Sequence, residues 1–277
     1  MNIIDGKQIS QEILDKLKPF FQKKKVAVAI VTVGDEKATE IFIKQKQKAA
    51  AYLSIEFLNF HFDEKISNNL LRQKINEISR RNFIKGVVIQ LPLAPKFNAN
   101  SLTNVIPMEK DIDVLNERHF AQFCLGRSKI LPPAVASLKF IFDKYNVQLK
   151  DKICGVVGLG RLIGFPISIW LMKQKTTIFA VDINTKNPQK IIKKCDIVIS
   201  GVGQAGLIDK KWLKNGAIVI DFGFERNENG IFGDVNFDSA KKRADLITPT
   251  PGGMGPILVA ILFYNLKELL QSKIKTK

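Results

Sequence analysis

Short apolar runs alternate with longer amphipathic stretches along the whole chain, and this alternation limits the possible folds more than any other feature. The apolar runs are rich in β-branched residues and bounded by glycine, proline or charge, as buried parallel strands are. They lie at residues 26–33, 86–91, 153–157, 177–181, 197–200 and 217–221. The amphipathic stretches predict helices at residues 10–23, 38–53, 68–80, 135–145, 164–173 and 256–273. This alternation is typical of the α/β class, so we expect parallel sheets covered by helices.

The length of 277 residues suits two ordinary domains, each large enough to bury its own core. A composition of 45% hydrophobic and 25% charged residues excludes a collagen, a coiled coil and a disordered chain. The segment Leu131-Pro132-Pro133 is a boundary signal, and the strand–helix pattern restarts at Lys152. We therefore expect domains at residues 1–136 and 137–277, with the helix at 256–273 packing back on the first domain.

Cysteine usage and the start of the chain bear on location. Cys124, Cys154 and Cys195 lie far apart without a CxxC pair, so the sequence predicts neither a disulfide framework nor a metal site. Asp5 and Lys7 stand where a signal peptide needs an apolar run, and no stretch reaches the about 18 uninterrupted apolar residues of a membrane span. We expect a cytoplasmic protein without a membrane partner.

The chain is strongly basic, with 43 lysines and arginines against 26 acidic residues and a net charge of +17. Such an excess suits a nucleic-acid-binding protein. The lysines are scattered, however, and no aromatic side chains are interleaved with them as a base-stacking platform requires. We interpret the excess as a solvated surface and expect no nucleic-acid partner, while a field of this sign favours an anionic substrate or cofactor.

A glycine-rich turn, Gly158-Leu159-Gly160-Arg161-Leu162-Ile163-Gly164, joins the strand at 153–157 to an apolar helix. In doubly wound folds such glycines permit a tight turn and a close approach of backbone to a pyrophosphate. Asp182 ends the next strand, where a carboxylate accepts hydrogen bonds from an adenosine ribose. The context favours a dinucleotide site; the alternatives are a packing turn without a ligand and, for Asp182, a solvated strand end.

Lys46 falls on the apolar face of the predicted helix at 38–53. At about 100° per residue, this face also carries Thr39, Phe42, Ala50 and Leu53. A lysine among apolar side chains is desolvated, which lowers its pKa and makes it usable as a proton acceptor or donor near neutral pH. The alternative is a snorkelling lysine whose stem packs and whose ammonium reaches water.

Three further segments place polar groups where a ligand can meet them. Gln90 lies at the carboxyl end of a buried strand, where open α/β sheets bind ligands. Asp111 and Asp113 alternate, so in an extended segment both carboxylates would face the same way. The loop at 248–256, Thr-Pro-Thr-Pro-Gly-Gly-Met-Gly-Pro, can offer backbone N–H groups to a flat ligand. The alternatives are a strand cap, an exposed turn and a tight helix entry.

Taken in order, these segments resemble the bifunctional methylenetetrahydrofolate dehydrogenase/methenyltetrahydrofolate cyclohydrolase family over nearly the whole chain. The most specific are Val-Ile-Gln-Leu-Pro-Leu at 88–93 and the loop at 248–256. Supporting motifs are Ile-Asp-Gly-Lys at 4–7, Lys-Asp-Ile-Asp at 110–113, Gly223 after Asp221, and Gly-Asp-Val at 233–235. The resemblance implies oxidation of 5,10-methylenetetrahydrofolate with NADP or NAD, followed by hydrolysis of the methenyl product to 10-formyltetrahydrofolate.

The resemblance also implies a fold and a set of site residues. The implied fold is an N-terminal α/β tetrahydrofolate-binding domain and a Rossmann-like, doubly wound nucleotide-binding domain with a cleft between them, forming a homodimer through the cofactor domain. Lys46 matches the catalytic lysine, Gln90 the glutamine that positions it, and Asp113 the aspartate that holds the pterin. The implied folate contacts, for a substrate that can be polyglutamylated, also include Phe42, Pro251, Gly252 and Gly253. Gly158, Leu159, Gly160 and Phe224 match cofactor-contacting positions. The glycine turn and the strand after it add Arg161, Gly164 and Asp182 as predicted nucleotide contacts.

The chain departs from the family pattern in the folate half. Phe42 stands where the family has tyrosine, Val114 stands where a glycine is usual, and Pro133-Ala134-Val135 replaces Cys-Thr-Pro. One alternative is therefore a member reduced to the dehydrogenase step. A hypothesis of another class is a non-catalytic basic binding protein, against which the joint presence of Lys46, Gln90 and Asp113 argues.

The nucleotide half departs as well. Gly160 replaces a serine, and neither Leu159 nor Phe165 supplies the arginine often found nearby. Asp182 would repel a 2′-phosphate and so favours NAD, whereas the family resemblance implies NADP and Arg161 or Lys186 could receive that phosphate. The choice of nucleotide stays open at this point.

Overall fold

The computed structural model describes residues 1–34, 40–228 and 230–272. The chain divides into two compact units. Met1–Ile9 and Ala134–Leu258 form one, which we call the six-stranded unit, and Ser10–Pro133 and Val259–Lys277 form the other, the three-stranded unit. The helices at Gly6–Phe21 and Met254–Ser272 each contribute several residues to both units.

The strands, in chain order, are β1 (Asn2–Ile3), β2 (Ala27–Val33), β3 (Glu56–Phe62), β4 (Ile84–Ile89), β5 (Ile153–Val157), β6 (Thr177–Val181), β7 (Ile197–Ser200), β8 (Ala217–Asp221), β9 (Glu225–Asn227), β10 (Gly230–Phe232) and β11 (Ala244–Ile247). The α-helices are α1 (Gly6–Phe21), α2 (Glu40–Tyr52), α3 (Asn68–Arg80), α4 (Ala99–Thr103), α5 (Glu117–Cys124), α6 (Pro133–Lys144), α7 (Gly164–Lys173), α8 (Pro188–Ile192), α9 (Phe237–Ala240) and α10 (Met254–Ser272). Met108–Lys110 and Lys210–Trp212 form single 3₁₀ turns.

The three-stranded unit is built on a parallel sheet in the order β3-β2-β4. Strand β2 is central and buried along nearly its whole length, as its continuous apolar sequence predicts. Helix α3 ends against a buried lysine: Lys110 Nζ donates to Ser79 O at 2.6 Å and to Arg81 O at 2.9 Å. A cation at this end complements the helix dipole and anchors the segment that continues into Asp113.

The six-stranded unit contains a parallel sheet in the order β1-β11-β8-β7-β5-β6, with the separate antiparallel hairpin β9–β10. Strand β7 is buried throughout and β8 almost throughout, because helices cover both faces of such a sheet. From β5 the chain adds β6 on one side and then returns to add β7 on the other side. The turns that follow β5 and β7 therefore lie side by side at the carboxyl edge of the sheet. The predicted α/β fold, with a doubly wound second domain, is confirmed.

Most predicted elements are present with small shifts at their ends. Strand β4 ends at Ile89, so Gln90 lies just past it, although its N–H still donates to Val31 O at 2.8 Å. Helix α2 is described from Glu40, and the predicted start at residues 38 and 39 lies outside the described residues, as does the predicted end of the last helix at residue 273.

The first nine residues belong to a different unit from the predicted one. They lie in the six-stranded unit because β1 pairs in parallel with β11, and Ile4 N–H continues this pairing by donating to Ile247 O at 2.9 Å. Among the described residues, none of the helices combines the length and the apolar character needed to cross a membrane.

Candidate active site

Lys46 and Gln90 form the centre of the site in the three-stranded unit. Lys46 lies on α2 and is 8% exposed, in line with its predicted position on the apolar face. Its Nζ donates to Gln90 Oε1 at 2.7 Å, and Gln90 Nε2 donates to Leu91 O at 3.0 Å. The second bond fixes which end of the amide faces the lysine, so an acceptor and not a donor meets Nζ.

The surroundings of Lys46 set its protonation. Burial lowers the pKa of Lys46 from its ordinary 10.5, and the nearby Asp113 carboxylate acts in the opposite direction to a smaller extent. Gln90 contributes a dipole without a charge, and so it holds the amine without requiring it to be an ammonium ion. The arrangement therefore gives an amine that can exchange a proton nearer neutral pH than an exposed lysine can.

Phe42 lies one helical turn before Lys46 on α2 and is half-buried. Side chains four residues apart on a helix share a face, so the ring and the amine lie on the same side of α2. Phe42 can offer a flat ligand its ring but no hydroxyl group. This is the chemical consequence of the departure from the family's tyrosine.

Asp111 and Asp113 do not act as a pair, and the expectation that both face the same way is wrong. The segment is a turn and not an extended strand. Asp111 is buried and accepts hydrogen bonds from Leu115 N (3.1 Å), Asn116 N (2.9 Å) and His119 Nδ1 (3.0 Å). Its carboxylate is occupied in holding the chain, whereas that of Asp113 interacts with Lys46.

Two features shape the turn around Asp113. Val114 adopts φ 57°, in the left-handed region that favours glycine, at the position where the family usually has glycine. Asn265, buried on α10, donates from Nδ2 to Ile112 O at 2.9 Å and to Leu131 O at 3.0 Å. The last helix thus fixes the backbone immediately before Asp113.

The glycine turn in the six-stranded unit has the geometry of a nucleotide cradle. Gly158 adopts φ 83°, and a Cβ at Gly164 would lie 1.8 Å from Gly158 O, so both positions require glycine. A Cβ at Gly160, in contrast, would meet nothing within 4 Å, so the space around this part of the turn is open. Helix α7 starts at Gly164 without a side-chain cap, and in its first turn Phe165 N donates to Gly160 O at 3.1 Å while Pro166 has no N–H.

The other predicted nucleotide residues lie in the same unit. Asp182 follows β6 and closes a local turn, because its Oδ1 accepts from Asn184 N at 3.0 Å and from Thr185 Oγ1 at 3.2 Å. Leu159 is exposed and Arg161 half-buried within the glycine turn, while Phe224 is half-buried after β8. These positions are compatible with a nicotinamide nucleotide along the carboxyl edge of the sheet.

The loop before α10 packs on the start of α1. A Cβ at Gly6 would lie 1.8 Å from Gly253 O, and a Cβ at Gly253 would lie 2.3 Å from Pro249 O. Gly252 has φ 100° and is half-buried, and Pro251 is exposed. This close approach explains why the motif at 4–7 and the loop at 248–256 both contain glycine.

Comparison with known proteins decides the family. The model of the tetrahydrofolate dehydrogenase/cyclohydrolase catalytic domain matches residues 4–113, and that of the NAD(P)-binding domain of the same family matches residues 132–274. The chain belongs to this family.

Relatives of this tetrahydrofolate dehydrogenase/cyclohydrolase match it from end to end. It is 32% identical over 276 residues to the bifunctional protein FolD of Agathobacter rectalis, covering 98% of this chain and 99% of the relative. It is 33% identical over 277 residues to the bifunctional protein FolD of Ruthia magnifica, covering 99% and 100%.

Solved structures agree. The bifunctional FolD enzyme of Campylobacter jejuni has a TM-score of 0.93 and 29% identity, with 99% of both chains covered. The Trypanosoma brucei dehydrogenase-cyclohydrolase, complexed with NADP and an inhibitor, has a TM-score of 0.93 and 26% identity, with coverage of 99% and 98%. The predicted family, its dehydrogenase and cyclohydrolase activities, a nicotinamide cofactor and folate ligands are confirmed.

Sequence reasoning missed several residues that shape this tetrahydrofolate dehydrogenase/cyclohydrolase. His119 and Asn265 support the Asp113 turn, and Asp221 and Asp234 lie at 2% and 0% exposure in the six-stranded unit. A polar Asn265 within the apolar stretch of α10 was the available signal for one of them. Asp221 and Asp234 were part of the quoted motifs, but nothing in the sequence indicated what their carboxylates bind.

Proposed function

We propose that Lys46 carries the proton transfers of a chain that oxidises 5,10-methylenetetrahydrofolate and then hydrolyses 5,10-methenyltetrahydrofolate to 10-formyltetrahydrofolate. The three-stranded unit would hold the folate, through Asp113 and the ring of Phe42, and the six-stranded unit the nucleotide. The observation that carries this assignment is the buried Lys46 amine bonded to an oriented, uncharged Gln90.

In the dehydrogenase step a bound nicotinamide supplies the hydride acceptor. Loss of hydride from the methylene carbon leaves a cation shared between two folate nitrogens. A permanently charged lysine would oppose this cation, because two like charges about 4 Å apart repel by about 4 kcal/mol at an effective dielectric constant of about 20. The lowered pKa of Lys46 reduces that repulsion.

In the cyclohydrolase step water adds to the methenyl carbon and gives a proton to the neutral Lys46 amine. The bond from this carbon to N5 then breaks as N5 takes a proton back from the Lys46 ammonium, and the hydroxyl group of the adduct loses its proton to solvent as it becomes the formyl carbonyl. Gln90 Oε1 keeps Nζ in one place through both transfers, since it accepts a hydrogen bond from either form of the amine. Lys46 is thus base and then acid, and ends the cycle unchanged.

We also propose that the nucleotide is NAD at least as readily as NADP. Asp182 follows the strand after the glycine turn, and among the described residues its side-chain hydrogen bonds end on Oδ1, so a ribose hydroxyl would donate to Oδ2. A 2′-phosphate would instead face this carboxylate. Even about 1 kcal/mol of screened repulsion gives about a fivefold preference for NAD.

Steady-state assays test both proposals. We expect purified protein to form the methenyl product with either nucleotide and to hydrolyse it without any nucleotide. Dehydrogenase activity without hydrolysis would support the alternative that the protein carries out only the dehydrogenase step, which Phe42 in place of tyrosine favours. A tenfold higher kcat/KM for NADP that survives Asp182→Ser would contradict the role of Asp182.

We also propose a homodimer formed through the NAD(P)-binding domain, supported by the family resemblance, and a cytoplasmic location, supported by the scattered cysteines. Light scattering on the purified chain tests the first, since a monomer mass at micromolar concentration would contradict it. Fractionation of cells that express the chain tests the second.

A further inference from the structure

Asp234 lies between the hairpin β9–β10 and α9, is 0% exposed, and gathers donors from the end of β7. Its Oδ2 accepts from Ser200 Oγ at 2.6 Å and from Val202 N at 2.7 Å. Its Oδ1 accepts from Gly203 N and from Gln204 N, both at 2.8 Å. Four groups donate to this one carboxyl group, and three of them are consecutive backbone N–H groups.

Although residues 202–204 are exposed, these bonds tie their backbone to the buried Asp234 carboxylate and so fix the loop. The same loop is tied further along: Ala205 N donates to Glu225 Oε2 at 2.6 Å, and Gly206 N donates to Gly233 O at 3.0 Å. Gly203 adopts φ 82°, which lets the three N–H groups converge. Without the Asp234 carboxylate, the first three N–H groups of the loop would lose their acceptors together.

The loop at 202–204 backs the glycine turn. Strand β7 is the neighbour of β5 in the sheet, so the segments that follow them lie side by side. A Cβ at Gly158 would lie 2.8 Å from Val202 Cγ2 and 3.0 Å from Gly201 O, and a Cβ at Gly201 would lie 2.5 Å from Ile163 Cγ2. Because the two segments already touch at glycine, a displaced 202–204 loop would push directly on the Gly158 turn.

Asp221 holds the backbone of Asp234 independently of the Asp234 side chain. Its Oδ1 accepts from Asp234 N at 3.2 Å, and its Oδ2 accepts from Val235 N at 3.0 Å. A substitution that changes only the acceptor strength of the Asp234 side chain therefore leaves its backbone anchored. The effect is expected in the 202–204 loop, not in the whole domain.

We propose that Asp234 is a positioning residue for the nicotinamide nucleotide: its carboxylate holds the loop at 202–204 against the Gly158 turn and so keeps the cradle in its binding shape. This rests on the proposed function, in which that turn holds the nucleotide. Hydrolysis of the methenyl substrate needs no nucleotide. We therefore expect Asp234 to affect the dehydrogenase activity and not the cyclohydrolase activity.

The test is Asp234→Asn, which keeps the shape of the side chain but places an amide NH₂ against backbone donors. We expect the dissociation constant and the KM of the nucleotide to rise at least tenfold, while nucleotide-free hydrolysis of methenyltetrahydrofolate stays within twofold of wild type. Asp238→Asn is the matched control, because Asp238 lies four residues away, is exposed, and pairs with surface Lys241 at 2.5 Å. It should leave both values unchanged.

Two results would overturn the proposal: unchanged nucleotide affinity in Asp234→Asn, or an equal loss of hydrolysis and nucleotide affinity in folded protein. If Asp234→Asn does not fold, Ser200→Ala decides, because it removes one donor to Oδ2 and leaves the carboxylate. We then expect a two- to fivefold weaker nucleotide affinity with unchanged hydrolysis, and no change in affinity would overturn the proposal. Failure of the wild type to bind either nucleotide would refute the proposed function itself, which separates the two failures.

Discussion

Lys46 Nζ and Gln90 Oε1 lie 2.7 Å apart, although the first belongs to α2 and the second follows β4. The pair joins a buried amine to a neutral acceptor whose orientation is fixed by Leu91 O. Such a contact places the amine without deciding its charge, which is what a residue that alternates between base and acid requires.

Replacement of Lys46 by methionine should abolish cyclohydrolase activity while the protein stays folded, because methionine fills the buried site but cannot accept a proton. The measurement is the rate of methenyltetrahydrofolate hydrolysis. Lys48→Met is the matched control, since Lys48 is exposed on the same helix. Hydrolysis at the wild-type rate in Lys46→Met would exclude this assignment.

Gln90→Glu should lower hydrolysis at neutral pH, because a carboxylate in place of the amide raises the pKa of Lys46 and keeps it protonated. The rising limb of the pH–rate profile should move to higher pH. Gln90→Ala serves for comparison: it removes the acceptor without adding charge, so kcat should fall more than KM changes. A profile in Gln90→Glu that coincides with the wild type would contradict the proposed coupling.

Phe42→Tyr tests whether the missing hydroxyl limits the second reaction. If a hydroxyl one turn from Lys46 assists proton transfer, the ratio of cyclohydrolase to dehydrogenase turnover should rise severalfold. Both turnover numbers are measured on the same preparation, so the ratio is insensitive to the active fraction. An unchanged ratio would show that this site uses only the ring.

At Val114, replacement by glycine should destabilise the protein less than replacement by alanine. Its φ of 57° and full burial mean that Val114→Ala leaves a cavity and keeps a Cβ in the left-handed region, while Val114→Gly relieves that region. We expect the glycine variant to be more stable than the alanine variant by about 1 kcal/mol. Urea unfolding measures the difference, and greater stability of the alanine variant would be the contrary result.

Asp221 should make stability fall as pH rises. Burial is the main cause that raises the pKa of this carboxyl from 3.8 to about 7, so between these values the native state binds more protons than the unfolded state. The free energy of unfolding of the wild type, relative to Asp221→Asn, should therefore decrease from about pH 4.5 to about pH 7 and then level off. Asp238→Asn should show no such trend over this range, because Lys241 lowers the pKa of Asp238. A flat difference for Asp221→Asn would contradict the raised pKa.

The sequence predicted the buried strands and the apolar position of Lys46 because both follow from local periodicity. It missed β3, whose residues Glu56, Asn59 and His61 interrupt the apolar pattern, since this strand lies at the sheet edge and is only partly buried. It missed β1 and β11 because each is too short to show a period. These strands are defined by their pairing, of β1 with β11 and of β11 with β8.

Site residues could be predicted where the pattern within one helix or strand indicates their position. They could not be predicted where their role depends on contacts between segments distant in the sequence. The alternation of Asp111 and Asp113 suggested that both side chains face the same way. In the structure the chain turns at Val114 in a left-handed conformation, and the Asp111 carboxylate accepts hydrogen bonds from residues 115–119 instead of lying beside that of Asp113. The acceptor role of Asp234 depends on three N–H groups about thirty residues earlier in the chain, a distance that no local pattern spans.

Strand β1 also sets the order in which this molecule can be completed. It pairs with β11, which follows most of the described residues in the chain, so this edge of the six-stranded sheet cannot close before β11 has been synthesised. Most of the three-stranded unit is already available by then, since its sheet ends at Ile89. The three-stranded unit also receives most of α10, which follows β11, so neither unit corresponds to a single uninterrupted stretch of the sequence.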